Sequence, residues 1–286
     1  MEVTQKLGFV INLEKSELEP TQDCVHLAYR FRLDHGLVMP TEERWKKIQG
    51  KILHMITAET VTAREWQSVL GLLTATEKVV HLGMLHVRDI QKAMLDQWSP
   101  FRGDPVEQLI VTDKAKEQLR WWRNRDNVMA GVPLQAFQPT CQIFTDASLI
   151  GWGGHLEDMC IKGRWSDQEK TYHINVLELI AVHRVLEGFV HQLQGQTIMV
   201  ATDNATTVAY IRNQGGTRSA SMLGVTQILY QWLEKHRIHI RCRHVPGRLN
   251  IIADGLSRET QVANTEWSIH PEVLKTLWQV WDKPLV

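Results

Sequence analysis

The sequence predicts an α/β chain in two parts. A smaller, mostly helical region with short strands at its start spans about residues 1–130. A mixed α/β domain, a five-stranded sheet flanked by helices, spans about 140–260, and a tail of 261–286 follows. Two observations carry this division. Helical periodicity governs the segments from Thr41 to about Asn124 and stops at GVPLQAFQPT, residues 131–140, where a glycine and two prolines interrupt every period. Beyond that stretch, short apolar or alternating runs are interleaved with helical ones, the pattern of a sheet covered by helices.

Taken in order, LGFVINLEKSELEP and CVHLAYRFRLDHGLVMP read as short strands, bounded by the turn signals Pro20, Asp34-His35-Gly36 and Pro40. Thr41 is placed to cap a helix over TEERWKKIQGKILHMI, with Trp45, Ile48, Ile52 and Ile56 as its stripe. Thr62 and Glu65 form a capping-box pattern ahead of a helix whose apolar face is Trp66, Val69, Leu70 and Leu73. A further helix spans about 84–98. The breaker-rich SPFRGDP follows, and then TDKAKEQLRWWRN, with Ala115, Leu119 and Trp122 on one side. The Trp121-Trp122 pair at this spacing reads as core or domain packing.

In the second region CQIFTDA, GWGGHLE and CIKGRWS read as a three-stranded meander. NVLELIAVHRVLEGFVHQL reads as one long helix, TIMVATD as a buried strand, NATTVAYIRN as a short helix and SASMLGVTQILYQWLEKH as a longer one. RIHIRCRHV alternates, with Ile238, Ile240 and Cys242 on one face and Arg237, His239, Arg241 and Arg243 on the other. That is the period of a strand covered on one side. A last helix carries Asp254, and a short helical stretch follows Pro271.

Composition narrows the class. The chain has 286 residues, with 32 Lys and Arg against 32 Asp and Glu. Neutral balance argues against a non-specific nucleic-acid binder but allows a local basic groove. The 4 cysteines, Cys24, Cys141, Cys160 and Cys242, form no CxxC pair and read as reduced, buried thiols of an intracellular protein, cytoplasmic or nuclear. No apolar run approaches the roughly 20 residues of a membrane helix, and the N-terminus lacks the form of a signal peptide. Oligomeric state is not written in the sequence.

Four carboxylates stand in similar settings: Asp146 at the end of the strand in FTDAS, Glu178 inside VLELIAV, Asp203 after TIMVAT and Asp254 in NIIADGLSR. Each has a plain structural alternative. Asp146 suits a turn, Asp203 suits a helix cap and Asp254 suits a first-turn acid. Glu178 shares a helix face with Ala181 and Val182, an unusual place for an unpaired acid. Taken together they suit a site for two divalent cations, Mg²⁺ or Mn²⁺, of the kind that hydrolyses phosphodiesters. QGGTRS, with Arg218, suits either a phosphate-binding turn or a plain connection between helices.

FTDAS, VLELIAV, ATDNAT and RHVPGRLNIIADGLSR resemble the type 1 ribonuclease H domain of reverse transcriptases, including a histidine, His244, ten positions before the last aspartate. GWGG, the WS of GRWS, HINVLEL, QGGTRS and HVPGRLN are most similar to reverse transcriptases of DIRS-type retroelements, which integrate by tyrosine recombinase. The resemblance implies an RNase H-like fold and cleavage of the RNA strand of RNA–DNA hybrids with two Mg²⁺ ions. It implies Asp146, Glu178, Asp203 and Asp254 as metal ligands. His244 would be a mobile-loop histidine aiding proton transfer or product release, and Ser148 and Asn175 would contact the hybrid backbone. The first region resembles, more loosely, the end of a reverse-transcriptase palm followed by thumb and connection, with His26-Leu27-Ala28 where that family has a Phe-Leu-Gly-like triplet. No YxDD-type motif occurs, so no polymerase activity is expected from this chain alone, which resembles a fragment of such an enzyme or a gene derived from one. Two other readings stand beside the nuclease. One is a catalytically idle nucleic-acid-binding or interaction module of a decayed element. The other is an integrase- or resolvase-like nuclease, against which the helix-borne Glu and the His-to-Asp spacing argue.

Overall fold

The computed structural model describes residues 2–12, 19–258 and 278, which fall into two compact units. The first comprises Met1–Gln138 and Asn213–Leu223, the second Pro139–Arg212 and Gly224–Val286. The helical stretch expected after Pro271 lies outside the described residues apart from Trp278, which is helical.

The first unit begins with a short helix, α1 (Glu2–Lys6), and irregular chain to residue 12, where sequence periodicity predicted a strand. Phe9 and Val10 there are exposed, so no face is buried to stabilise a strand. Strands β1 (Asp23–His26), β2 (Tyr29–Arg32) and β3 (Leu37–Pro40) then form the expected antiparallel meander. Leu27 and Ala28, between β1 and β2, both have positive φ (49° and 65°). A two-residue hairpin loop needs this conformation, and side-chain-bearing residues adopt it under strain.

The expected helices follow. Thr41 caps α2 (Glu42–Thr57), accepting from the Arg44 N–H at 3.2 Å. β4 (Thr60–Thr62) leads into α3 (Ala63–Thr74) through a complete capping box of Thr62 and Glu65. After α4 (Gly83–Leu95), β5 (Gln108–Ile110) pairs with β4, a contact the sequence pattern does not announce. α5 (Asp113–Arg123) and α6 (Arg125–Met129) complete the helices, and β6 (Val132–Pro133) adds a two-residue edge to β3. The core gathers the predicted stripes: Ile48, Ile52, Trp66, Leu73, Ala115, Leu119 and Trp122 are all fully buried. Trp121 is partly buried and stacks on His86, with ring centroids 3.8 Å apart.

The second unit is the predicted five-stranded mixed sheet flanked by helices. β7 (Cys141–Ala147), β8 (Gly151–Leu156) and β9 (Met159–Arg164) form an antiparallel meander. The helical run that follows is divided into α7 (Ile174–Gly188) and α8 (Val190–Leu193), not continuous as the sequence suggested. Phe189 sits at the break with φ −106° and ψ 18°, outside helical geometry, its ring buried. β10 (Thr197–Thr202) runs parallel to β7, and α9 (Ala205–Arg212) follows it. α10 (Ala220–His236), β11 (His239–His244) and α11 (Ile251–Ser257) complete the unit, with β11 parallel to β10. The strand order is β11-β10-β7-β8-β9. Arg237, expected in the last strand, precedes it in a left-handed turn (φ 54°).

Glycines explain how closely the helices approach this sheet. A Cβ on Gly153 would lie 2.8 Å from the Leu256 carbonyl carbon and 2.9 Å from the Ser257 nitrogen, so α11 lies directly on the β8 backbone. A Cβ on Gly154 would meet Val185 Cγ2 at 2.5 Å, so α7 packs against the opposite face. The GWGG motif thus seats one helix on each side of a strand. The four cysteines carry no disulfide, and only Cys242 is buried, fewer than the sequence reading expected. No helix among the described residues is long and apolar enough to cross a membrane.

Candidate metal centre

β7 and β10 are parallel neighbours in the register Ala201↔Phe144. Two residues further along each chain stand Asp203 and Asp146, so the register brings both acids level at the carboxyl ends of adjacent strands. α7 crosses above β7 because Leu177 and Ala181 pack with Ala147 and Trp165, and this seats Glu178 over the same strand ends. Carboxylate oxygens of Asp146, Glu178 and Asp203 lie within 4.8 Å of one another. Among the described residues, this is the group of three acids, histidines or cysteines close enough to share a metal ion.

Asp146 and Glu178 are only 4% and 5% exposed, respectively. That burial governs their chemistry. Burial first, then the field of Asp146 and Asp203, pushes the Glu178 carboxyl up to about 9, against the lowering effect of hydrogen bonds from the Ala147 backbone and the Asn204 side chain. Burial, with the fields of Asp203 and Asp254 in the same direction, pushes Asp146 up to about 6, although a hydrogen bond from Ser257 opposes it. Glu178 Oε2 is buried without a hydrogen-bond partner. Clustered hard oxygens that resist ionisation, one of them unpartnered, fit a divalent cation, which would replace the missing solvation and neutralise the repulsion.

Asp254 stands apart from this group. It lies in the first turn of α11 and its Oδ1 pairs with Arg258 Nη2 at 2.6 Å, although its charge reaches Asp146. Asp203 does not cap α9. Asn204 does, its Oδ1 accepting from the Thr207 N–H at 2.9 Å, which leaves the Asp203 carboxylate to the cluster. His244 is the last residue of β11, not a loop residue as the resemblance implied, because the ladder with β10 extends to the pair Thr202↔His244. Its Nε2–H donates to the Asp203 carbonyl at 3.0 Å, which leaves Nδ1 as the free ring nitrogen of the neutral form.

The remaining sequence candidates divide. Asn175 is at the start of α7, its Oδ1 accepting from Asn204 Nδ2 at 3.0 Å, one step from Glu178. The Ser148 hydroxyl is engaged in its own turn: it donates to the Ser257 carbonyl at 2.6 Å and accepts from the Ile150 and Gly151 N–H groups. Arg218 is exposed within Asn213–Leu223, a segment of the first unit, where Gln214 Oε1 accepts from the Leu85 N–H and the Asn213 carbonyl accepts from Arg88. Sequence reasoning passed over Asn204, Asn250 and Ser257. Asn250 is 1% exposed and donates from Nδ2 to the Thr145 carbonyl at 3.0 Å. A buried asparagine and serine flanking Asp254, at positions −4 and +3, share its helical neighbourhood, and that spacing was the available signal.

The chain has relatives among viral polyproteins. It is 31% identical over 274 residues, 91% of its length, to the enzymatic polyprotein of figwort mosaic virus (strain DxS), of which it covers 37%. It is 30% identical over 172 residues, 52% of its length, to the enzymatic polyprotein of carnation etched ring virus, of which it covers 25%. It therefore spans well under half of the curated relatives it matches. Among solved structures, it is similar to LC11-RNase H1 in complex with RNA/DNA hybrid at 18% identity and a TM-score of 0.37, covering 42% of this chain and 95% of that one. Residues 136–232, from just ahead of the first strand of the sheet into α10, match the RNase H-like domain found in reverse transcriptase.

Proposed function

We propose that this chain is an endoribonuclease that cuts the RNA strand of RNA–DNA hybrids by phosphodiester hydrolysis with two Mg²⁺ ions. The observation that carries the reading is the buried group of Asp146, Glu178 and Asp203 at the strand ends, with an unpartnered oxygen on Glu178. These three would hold the cations, with Asp254 joining them on release from Arg258. Bound there, Mg²⁺ supplies charge stabilisation on the phosphodiester and a nucleophile at neutral pH. The chain's own residues do the rest. Asn204 holds Asn175 and Glu178 together at the start of α7, and Asn175 is placed to meet the hybrid backbone. His244, fixed through Nε2, presents Nδ1 for proton transfer. Arg241 and Arg243 are exposed on β11 and suit a backbone track. Selection of a hybrid would rest on duplex shape and 2′-OH contacts, not base sequence. The first unit, by its resemblance to a thumb and connection, would dock the duplex, and Arg218 would contact phosphate. The enzymatic polyprotein relatives and the match to the RNase H-like domain found in reverse transcriptase support a retroelement origin, and the GWGG, HINVLEL and QGGTRS details support the narrower DIRS-type assignment.

The test is cleavage of labelled RNA–DNA hybrid, duplex DNA and duplex RNA, each with Mg²⁺ and with EDTA. Cleavage of the hybrid's RNA strand alone, only with Mg²⁺, is expected. Binding to the hybrid without cleavage under any metal would favour the idle module instead.

A further inference from the structure

Ser257 is fully buried at the end of α11, and its Oγ–H lies 2.5 Å from Asp146 Oδ2 across 111 residues of sequence. Two features seat it there. Gly153 lets the α11 backbone rest on β8, and Asn250 at the other end of the helix donates to the Thr145 carbonyl, the residue beside Asp146. The helix is thus tied at one end to β7, which carries the acid, and at the other to β8, the strand paired with it. The Ser257 carbonyl is held in turn by the Ser148 hydroxyl at 2.6 Å. A carboxylate on a strand end rotates about its last side-chain bond unless one oxygen is fixed. The Ser257 hydroxyl fixes one oxygen of Asp146, and with it the plane of the carboxylate that stands with Glu178 and Asp203.

We infer that Ser257 is a positioning residue for the metal centre: its hydroxyl orients the Asp146 carboxylate for cation binding without touching the cation. This rests on the reading of the three acids as metal ligands. Removing a hydrogen-bond partner of a metal ligand weakens metal binding, typically by about 10-fold or more.

The experiment uses the full chain and Mn²⁺, followed by electron paramagnetic resonance without nucleic acid, in the wild type, Ser257→Ala, Ser257→Thr and Asp146→Asn. Thermal melts of each in EDTA run alongside. Ser257→Ala is expected to weaken Mn²⁺ binding by roughly tenfold while the EDTA melt stays cooperative. It should raise the metal concentration for half-maximal hybrid cleavage in proportion, with the rate at saturating metal little changed. Ser257→Thr, which keeps a hydroxyl, should recover most of the affinity. Unchanged Mn²⁺ affinity in Ser257→Ala beside a clear loss in Asp146→Asn overturns the inference and leaves the metal centre standing. Loss of affinity accompanied by loss of the cooperative melt overturns it in favour of simple packing. Unchanged affinity in Asp146→Asn overturns the metal centre itself.

Discussion

Asp146→Asn and Asp203→Asn each remove one carboxylate from a group whose oxygens lie within 4.8 Å. Either change should abolish hybrid cleavage, with a far-ultraviolet dichroism spectrum like that of the wild type; full activity in either would refute the assignment. His244→Ala should slow turnover without ending it, by about 10²-fold at most, because His244 reaches the group only through the Asp203 carbonyl. Turnover unchanged across several pH values would return His244 to a strand-end residue. The two buried acids also set a pH dependence. Asp146 rises from 3.8 to about 6 and Glu178 from 4.5 to about 9, so the folded chain holds protons that the unfolded chain has lost. The folded state's proton excess means that stability without metal falls as pH rises from each unfolded value to each folded one. Urea midpoints in EDTA should therefore decline between pH 4.5 and 9. Glu178→Gln should flatten the upper part of that decline, and a wild-type midpoint that rises over the range would contradict the sign.

Among the elements, α11 carries the clearest expectation. Gly153→Ala would press a methyl group against Leu256 and the Ser257 nitrogen, so the helix must lift from β8. Overpacking of this kind costs about 1–3 kcal/mol. Because the same helix carries Asp254 and Ser257, cleavage should fall further than stability alone accounts for. Chemical denaturation and a cleavage assay on one preparation separate the two effects, and a variant with wild-type values for both would mean the helix is not held against the strand. In the first unit, Thr62→Ala deletes the reciprocal capping box at the start of α3 and should cost about 1 kcal/mol, with no effect on metal binding.

For the whole molecule, the two units make different statements about ligands. The acids lie in the second unit, while the core of Ile48, Trp66, Leu73 and Trp122 lies in the first. A divalent cation should therefore slow amide exchange around residues 144–148, 176–180 and 201–205, and leave the helices over Glu42–Thr57 and Ala63–Thr74 unchanged. Hydrogen exchange followed by mass spectrometry, with Mg²⁺ and with EDTA, reads both regions at once. Protection confined to the first unit would place the cation elsewhere.

Local chemistry sufficed for much of this. The stripes of α2, α3 and α5, the caps at Thr41 and Thr62 and the five strand runs of the sheet all follow from periodicity and short-range hydrogen bonding, which involve residues a few positions apart. A buried acid among apolar helix neighbours, Glu178, was visible for the same reason. The sequence left other features open, some because the partners are remote in the chain and some because neighbouring groups compete for one role. The β7–β10 register levels Asp146 with Asp203. Asn204, not Asp203, takes the cap of α9. Asp254 finds Arg258, Ser148 is consumed by the Ser257 carbonyl, and Arg218 falls in the first unit. The short pairing of β4 with β5 and the break at Phe189 were equally silent, since each is decided by what packs against the segment. Residue type and spacing dictate which groups could act; burial and hydrogen bonding across 111 residues, as between Ser257 and Asp146, decide which of them meet.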